Sequence, residues 1–134
     1  LALEAKAPGL RVRTAEPEGF DDAARSVASG KRERNLKLTG SICDAILSPE
    51  LGQNTFPVIK RLCGPGLVVS DEEALSAMAE AFTRLKLVLE PGGAASLAAA
   101  LYRADEIEGD TVIVVASGGN TDAAMFSRAL AKTV

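Results

Sequence analysis

The spacing of apolar residues changes several times along the chain. Residues 10–15 (LRVRTA) alternate apolar and polar between Pro8-Gly9 and Glu16-Pro17, which predicts a strand. Phe20, Ala23, Ala24 and Val27 fall at helical spacing over residues 19–29, and Gly30 ends that run. Residues 31–37 read as a charged, solvated connector, and residues 38–46 as a short strand entering a turn. Residues 48–52 form a loop, after which Asn54 can cap a helix to about Leu62 with Pro57 in its first turn. Gly64-Pro65-Gly66 is a turn, and residues 67–69 are a short apolar strand. Ser70 and Glu73 then form a capping box. The helix behind it lines up Ala74, Leu75, Met78, Ala81, Phe82 and Leu85 on one face. Residues 90–93 (EPGG) break it, and an alanine-rich helix follows over residues 94–103. A helix apolar nearly all round belongs inside. Residues 111–116 (TVIVVA) are a continuous β-branched run, the pattern of a central parallel strand covered on both faces. An amphipathic helix over residues 121–132 closes the chain.

Strands alternating with helices of this length predict an α/β fold, with a mainly parallel sheet flanked by helices. Residues 1–134 read as one unit, with no linker long enough to separate a second domain. Residues 1–7 look like the tail of a helix, with neither an initiator Met nor an N-cap, so a truncated chain is expected.

Composition narrows the chemistry. The 134 residues are 47% hydrophobic and 25% charged, ordinary for a soluble domain. A net charge of −3 gives no electrostatic footprint for nucleic acid or an acidic membrane. No apolar run approaches the ~20 residues of a membrane helix. Cys43 and Cys63 have no metal-ligand spacing and read as reduced thiols of a cytoplasmic protein. The absence of histidine removes His-based triads and most zinc sites built from this chain alone.

Three segments could carry chemistry. Ser117-Gly118-Gly119-Asn120 follows the run TVIVVA, and ligands in α/β sheets bind beyond the carboxyl ends of strands. The same four residues also suit a tight strand-to-helix turn with Asn120 as N-cap. Residues 16–22 (EPEGFDD) crowd four carboxylates, which a divalent cation such as magnesium, calcium or manganese would relieve. Acids also favour the first turn of a helix, and on the residues alone that is the simpler reading. Glu90-Pro91-Gly92-Gly93 is either a ligand seat at a helix N-terminus or an ordinary break.

Taken together, EPEGFDD, SICDAILSP, NTFPVI, LVVSDEEAL, RLKLVLEPGGAASLAA and VIVVASGGN resemble successive blocks of the pyridoxal-phosphate (PLP) dependent threonine/serine dehydratases and serine racemases of fold type II. The resemblance runs from Leu1 to about Leu130 and places the chain in the large domain of such an enzyme. It implies that Ser117 contacts the pyridine nitrogen of PLP, with Gly118 and Gly119 leaving room for the ring. It implies that Glu90 lies near the ring and that Asp44 and Ala45 line the substrate side. It also implies that Glu16, the Phe20 carbonyl and Asp22 hold the divalent cation. No Ser-Phe-Lys-x-Arg-Gly block is present, and Lys6, Lys31, Lys37, Lys60, Lys86 and Lys132 all read as solvated. The resemblance therefore puts the imine-forming lysine, the phosphate loop and the small domain upstream, leaving no catalytic residue here. With nothing after Val134, it points to the short, catabolic kind of dehydratase.

The parent is expected to be a cytoplasmic homo-oligomer that dehydrates and deaminates L-threonine or L-serine. Serine racemase, or a dehydratase of a related hydroxy amino acid, is the rival within the class. A non-enzymatic assembly domain is the rival outside it.

Overall fold

The computed structural model describes residues 1–133. Val134, which closes the unit read from sequence, lies outside them. The chain runs α1 (Ala2–Lys6), β1 (Ala15–Pro17), α2 (Asp22–Ser29), a 3-10 turn (Asp44–Ile46) and α3 (Phe56–Leu62). It continues as β2 (Leu67–Val69), α4 (Asp71–Glu80), a π-helical turn (Ala81–Leu85), α5 (Pro91–Tyr102), a 3-10 turn (Ala104–Glu106) and α6 (Ala123–Leu130). A further 3-10 turn covers Ala131–Thr133.

Among the described residues the sheet has two strands, β1 and β2, which pair in parallel with Glu16 opposite Val68. Residues 10–15 were expected to be the strand, but β1 begins only at Ala15. Val12 makes a single parallel bridge to Cys63, and Leu67 N–H donates to the Thr14 carbonyl at 2.8 Å. Gly64 N–H donates to the Val12 carbonyl at 2.9 Å, but the Thr14 carbonyl takes Leu67 instead of Gly66, so one extra residue interrupts the ladder here.

The core lies between α4 and α5. Leu75 and Met78 on α4 are fully buried, as are Ala94 and Ala98 on α5, with Val69 of β2 beneath. Alanine on α5 lets two helix backbones approach closely. The Ser70 capping box forms as the sequence predicts: its hydroxyl accepts from Glu73 N–H at 3.2 Å, and the Glu73 carboxylate accepts from Ser70 N–H at 2.8 Å. The same carboxylate takes both arms of Arg103, at 2.6 and 2.9 Å. Burial pushes the Glu73 carboxyl up, but Arg103 and the Ser70 N–H outweigh it and hold it below the usual range.

Several expectations are corrected. Leu85, which its spacing sets on one face with Leu75 and Met78, is 60% exposed, because the π turn breaks the 3.6-residue register. Phe82 meets Phe126 of α6 edge-on at 5.2 Å instead. Residues 38–46 are not a strand. The Asp71 carboxylate takes the Ser41 hydroxyl at 2.6 Å and the Ile42 N–H at 3.2 Å, so that backbone N–H is bonded by a side chain and not by a neighbouring strand. Thr55, not Asn54, precedes α3. Asp122 caps α6 by accepting from Met125 N–H at 2.7 Å, so Asn120 does not.

The largest correction concerns TVIVVA. Residues 111–116 make no ladder among the described residues, and Ile113 and Val115 are 74% and 69% exposed. No described strand lies beside them to share hydrogen bonds. What holds the segment is α5: the Ser96 hydroxyl donates to the Val115 carbonyl at 2.7 Å.

Candidate functional site

α5 begins where Pro91 can occupy the first helical turn without a lost donor. Its first turn packs directly on residues 117–119. Glu90 N–H donates to the Gly118 carbonyl at 3.0 Å. A Cβ at Gly93 would strike the Gly118 carbonyl oxygen and lie 2.8 Å from the Gly118 nitrogen. A Cβ at Gly118 would strike the Glu90 carboxylate, and one at Gly119 would sit 2.6 Å from the Val88 carbonyl oxygen. Gly93 and Gly119 are thus required by backbone meeting backbone, whereas Gly118 faces the Glu90 side chain. The resemblance implies that Gly118 and Gly119 leave room for a ring; for Gly119 the Val88 carbonyl adds a reason within the chain itself.

Three of the expected site segments meet here. Glu90 and Ser117–Gly119 are adjacent, and the turn bearing Asp44 and Ala45 lies against Gly92, whose Cβ would be 3.6 Å from Ala45 Cβ and 3.4 Å from Ile46 Cγ2. Ser117 is exposed, and its hydroxyl has no hydrogen-bond partner among the described residues. The Thr121 hydroxyl, just beyond, is buried with no partner at all among them. An orphaned buried hydroxyl beside a free exposed one fits a polar ligand held at this turn. Sequence reasoning missed Thr121, since a threonine opening a helix gives no signal of lost contacts. The lysines are all exposed, as expected.

Glu16, Phe20 and Asp22 gather at the start of α2. The two Glu16 oxygens accept from Ala23 and Ala24 N–H, each at 2.8 Å, and Thr14 donates to it at 3.2 Å. Glu16 therefore caps α2 from β1, while Asp21 at the N-cap makes no capping bond. Burial raises its carboxyl, and the nearby charge of Asp22 adds to that. Asp22 is only 3% exposed and is also raised, chiefly by burial, against a bond from Asn35 at 2.7 Å. Glu16 has no ion-pair partner among the described residues, and the Phe20 carbonyl takes no hydrogen bond from them. Two crowded carboxylates and a free carbonyl are the hard oxygen donors that a divalent cation takes.

Burial also sets the thiols. Cys43 is buried and its thiol is pushed up to about 11; half-buried Cys63 is raised as well, and both are free. Neither has the lowered pKa of a reactive cysteine.

The first turn of α5 thus packs on a glycine turn that bears an unpartnered hydroxyl, within an α/β fold. The chain matches the family described as pyridoxal-phosphate dependent enzyme over residues 1–118, and it belongs to that family. It is 39% identical to a serine racemase of Oryza sativa subsp. indica over 98% of this chain and 40% of that protein. It is 33% identical to an L-threo-3-hydroxyaspartate ammonia-lyase of Saccharomyces cerevisiae, covering 91% of this chain and 37% of the other. The crystal structure of a T.th. threonine deaminase superposes with a TM-score of 0.84 at 37% identity, over 90% of this chain and 40% of that one. The fold is accordingly that of a fold-type-II PLP enzyme. The chain spans about 40% of the length of the curated relative it resembles at 39% identity. Among the described residues no helix is long and apolar enough to cross a membrane.

Proposed function

We propose that this chain is the cofactor-floor portion of a PLP-dependent lyase that dehydrates and deaminates L-threonine or L-serine to a 2-oxo acid and ammonia. The observation that carries the reading is the unpartnered Ser117 hydroxyl at the turn where Glu90, Gly93 and Gly118 interlock. Bound PLP supplies an electron sink that makes the α-proton of a bound amino acid acidic. Ser117 would hold the ring nitrogen by a hydrogen bond from a neutral hydroxyl. A neutral partner does not keep that nitrogen protonated, as a carboxylate does, and this suits loss of a β-hydroxyl. Glu90 would stand near the ring, and Asp44 and Ala45 would face the amino acid. Glu16, the Phe20 carbonyl and Asp22 would hold a magnesium, calcium or manganese ion.

The serine racemase relatives favour a second reading, in which the same α-proton is returned to the opposite face. Product analysis separates the two: the lyase gives oxo acid and ammonia, the racemase D-serine. The site itself is tested in the PLP-loaded enzyme. Ser117→Ala is expected to weaken PLP binding and lower turnover, and Ser117→Asp to shift the ring toward the protonated form in the absorbance spectrum. Unchanged affinity, spectrum and rate in both variants would reduce Ser117 to a turn residue. The 134-residue chain by itself, lacking the lysine block, is expected to yield no oxo acid above background with PLP added.

A further inference from the structure

Asn35 lies in a charged stretch, between exposed Arg34 and Leu36, yet it is itself only 4% exposed. Its side-chain amide donates to the Asp22 carboxylate at 2.7 Å and to the Ser48 carbonyl at 2.8 Å. Its Oδ1 accepts from the Arg25 guanidinium, and its backbone N–H donates to the Pro49 carbonyl at 2.8 Å. Both amide protons and the amide oxygen are thus in use.

This single side chain joins α2 to the segment that leaves the Asp44–Ile46 turn. Ser48 N–H donates back to the Ile46 carbonyl at 3.0 Å, so whatever fixes Ser48 also fixes the turn. The Asp44 side chain forms no hydrogen bond among the described residues. The turn hangs between two anchors: Asp71 holds Ser41 and Ile42 before it, and Asn35 holds Ser48 after it. Between them, Ala45 and Ile46 rest against Gly92 at the start of α5.

We propose that Asn35 is a positioning residue for the amino-acid substrate, acting through the Ser48 carbonyl to set the Asp44–Ala45 turn against the cofactor site. The proposal rests on the reading of Asp44 and Ala45 as the substrate side. An amide is the one side chain that suits this place. Asp22 and Ser48 both need a donor, while Arg25 needs an acceptor. Aspartate would keep the Arg25 contact but set an acceptor against two acceptors.

In the PLP-loaded holoenzyme, Asn35→Ala is expected to lower kcat/KM for serine and threonine roughly 10- to 100-fold, chiefly by raising KM, which is what a misplacement of about 1 Å costs. kcat should change less, and PLP affinity and absorbance should be unchanged. Hydrogen exchange should quicken at amides 44–48 and not along α5. Asn35→Asp should be worse than Asn35→Ala, because it sets an acceptor against both the Asp22 carboxylate and the Ser48 carbonyl. Asn35→Ser, which keeps one donor, should fall between wild type and Asn35→Ala and serves if the latter does not fold. A lowered melting point with KM unchanged would make Asn35 a purely structural residue and overturn the proposal. Ala45→Val separates the two layers of the argument. If it moves KM and Asn35→Ala does not, the positioning role is wrong and the substrate side stands. If neither moves KM, both are wrong.

Discussion

Gly92 and Gly93 are neighbours in the first turn of α5, and alanine at either gains up to about 1 kcal/mol of helical propensity. The surroundings should reverse the outcome for one of them. A Cβ at Gly92 would lie 3.4 Å from Ile46 Cγ2 and 3.6 Å from Ala45 Cβ, which is ordinary contact. Gly92→Ala is therefore expected to be neutral or to stabilise by about 0.5 kcal/mol. A Cβ at Gly93 would strike the Gly118 carbonyl oxygen and lie 2.8 Å from the Gly118 nitrogen. A backbone cannot turn aside as a long side chain does, so α5 and the serine-glycine turn must move apart. Overpacking of this kind costs about 1–3 kcal/mol. The separation also stretches the 3.0 Å bond from Glu90 N–H to the Gly118 carbonyl, worth about 1 kcal/mol. Set against the propensity gain, Gly93→Ala should destabilise by about 1–3 kcal/mol. Urea unfolding followed by circular dichroism, with both variants beside wild type, reads the difference directly. Because the displaced turn carries Ser117, PLP affinity should fall for Gly93→Ala as well. A Gly93→Ala protein as stable as Gly92→Ala would refute the backbone-contact argument.

Three other outcomes are expected. Ser70→Ala should cost about 1 kcal/mol in chemical denaturation by opening the capping box, and no loss would mean that the Glu73–Arg103 pair alone holds the start of α4. The Glu16 carboxyl is raised above 4.5, chiefly by burial, so it stabilises the fold below that value and loses this as pH rises through its folded pKa. Glu16→Gln should accordingly gain on wild type as pH rises above 4.5; a stability difference independent of pH would show that Glu16 is not strained by burial. Magnesium should raise the melting point of the wild-type enzyme, by the equivalent of roughly 2.7 kcal/mol at ~100-fold saturation, and most of that gain should vanish in Asp22→Asn. A wild-type midpoint that ignores magnesium, calcium and manganese would end the cation proposal.

Local rules accounted for much of the chain. Ser70 with Glu73 announced α4, Gly30 closed α2 in the left-handed conformation, and the alanine run of α5 is buried as its composition demands. These features depend on residues within one or two turns of each other, so sequence alone determines them. The family was legible for the same reason: EPGGA and SGGN are short, contiguous blocks. What only the tertiary structure decided involves partners far apart in sequence. Asp71 takes the place of a strand neighbour for the Ile42 N–H and holds the Ser41 hydroxyl, twenty-nine and thirty residues away in the chain. Asn35, hidden in a run of charges, takes its burial from Asp22 and Ser48, each thirteen residues distant. The run TVIVVA has the intrinsic character of a central strand, but a strand exists only when a neighbour shares its hydrogen bonds, and none of the described residues does. Propensity is a property of the residue, whereas pairing and burial belong to whatever the fold sets beside it.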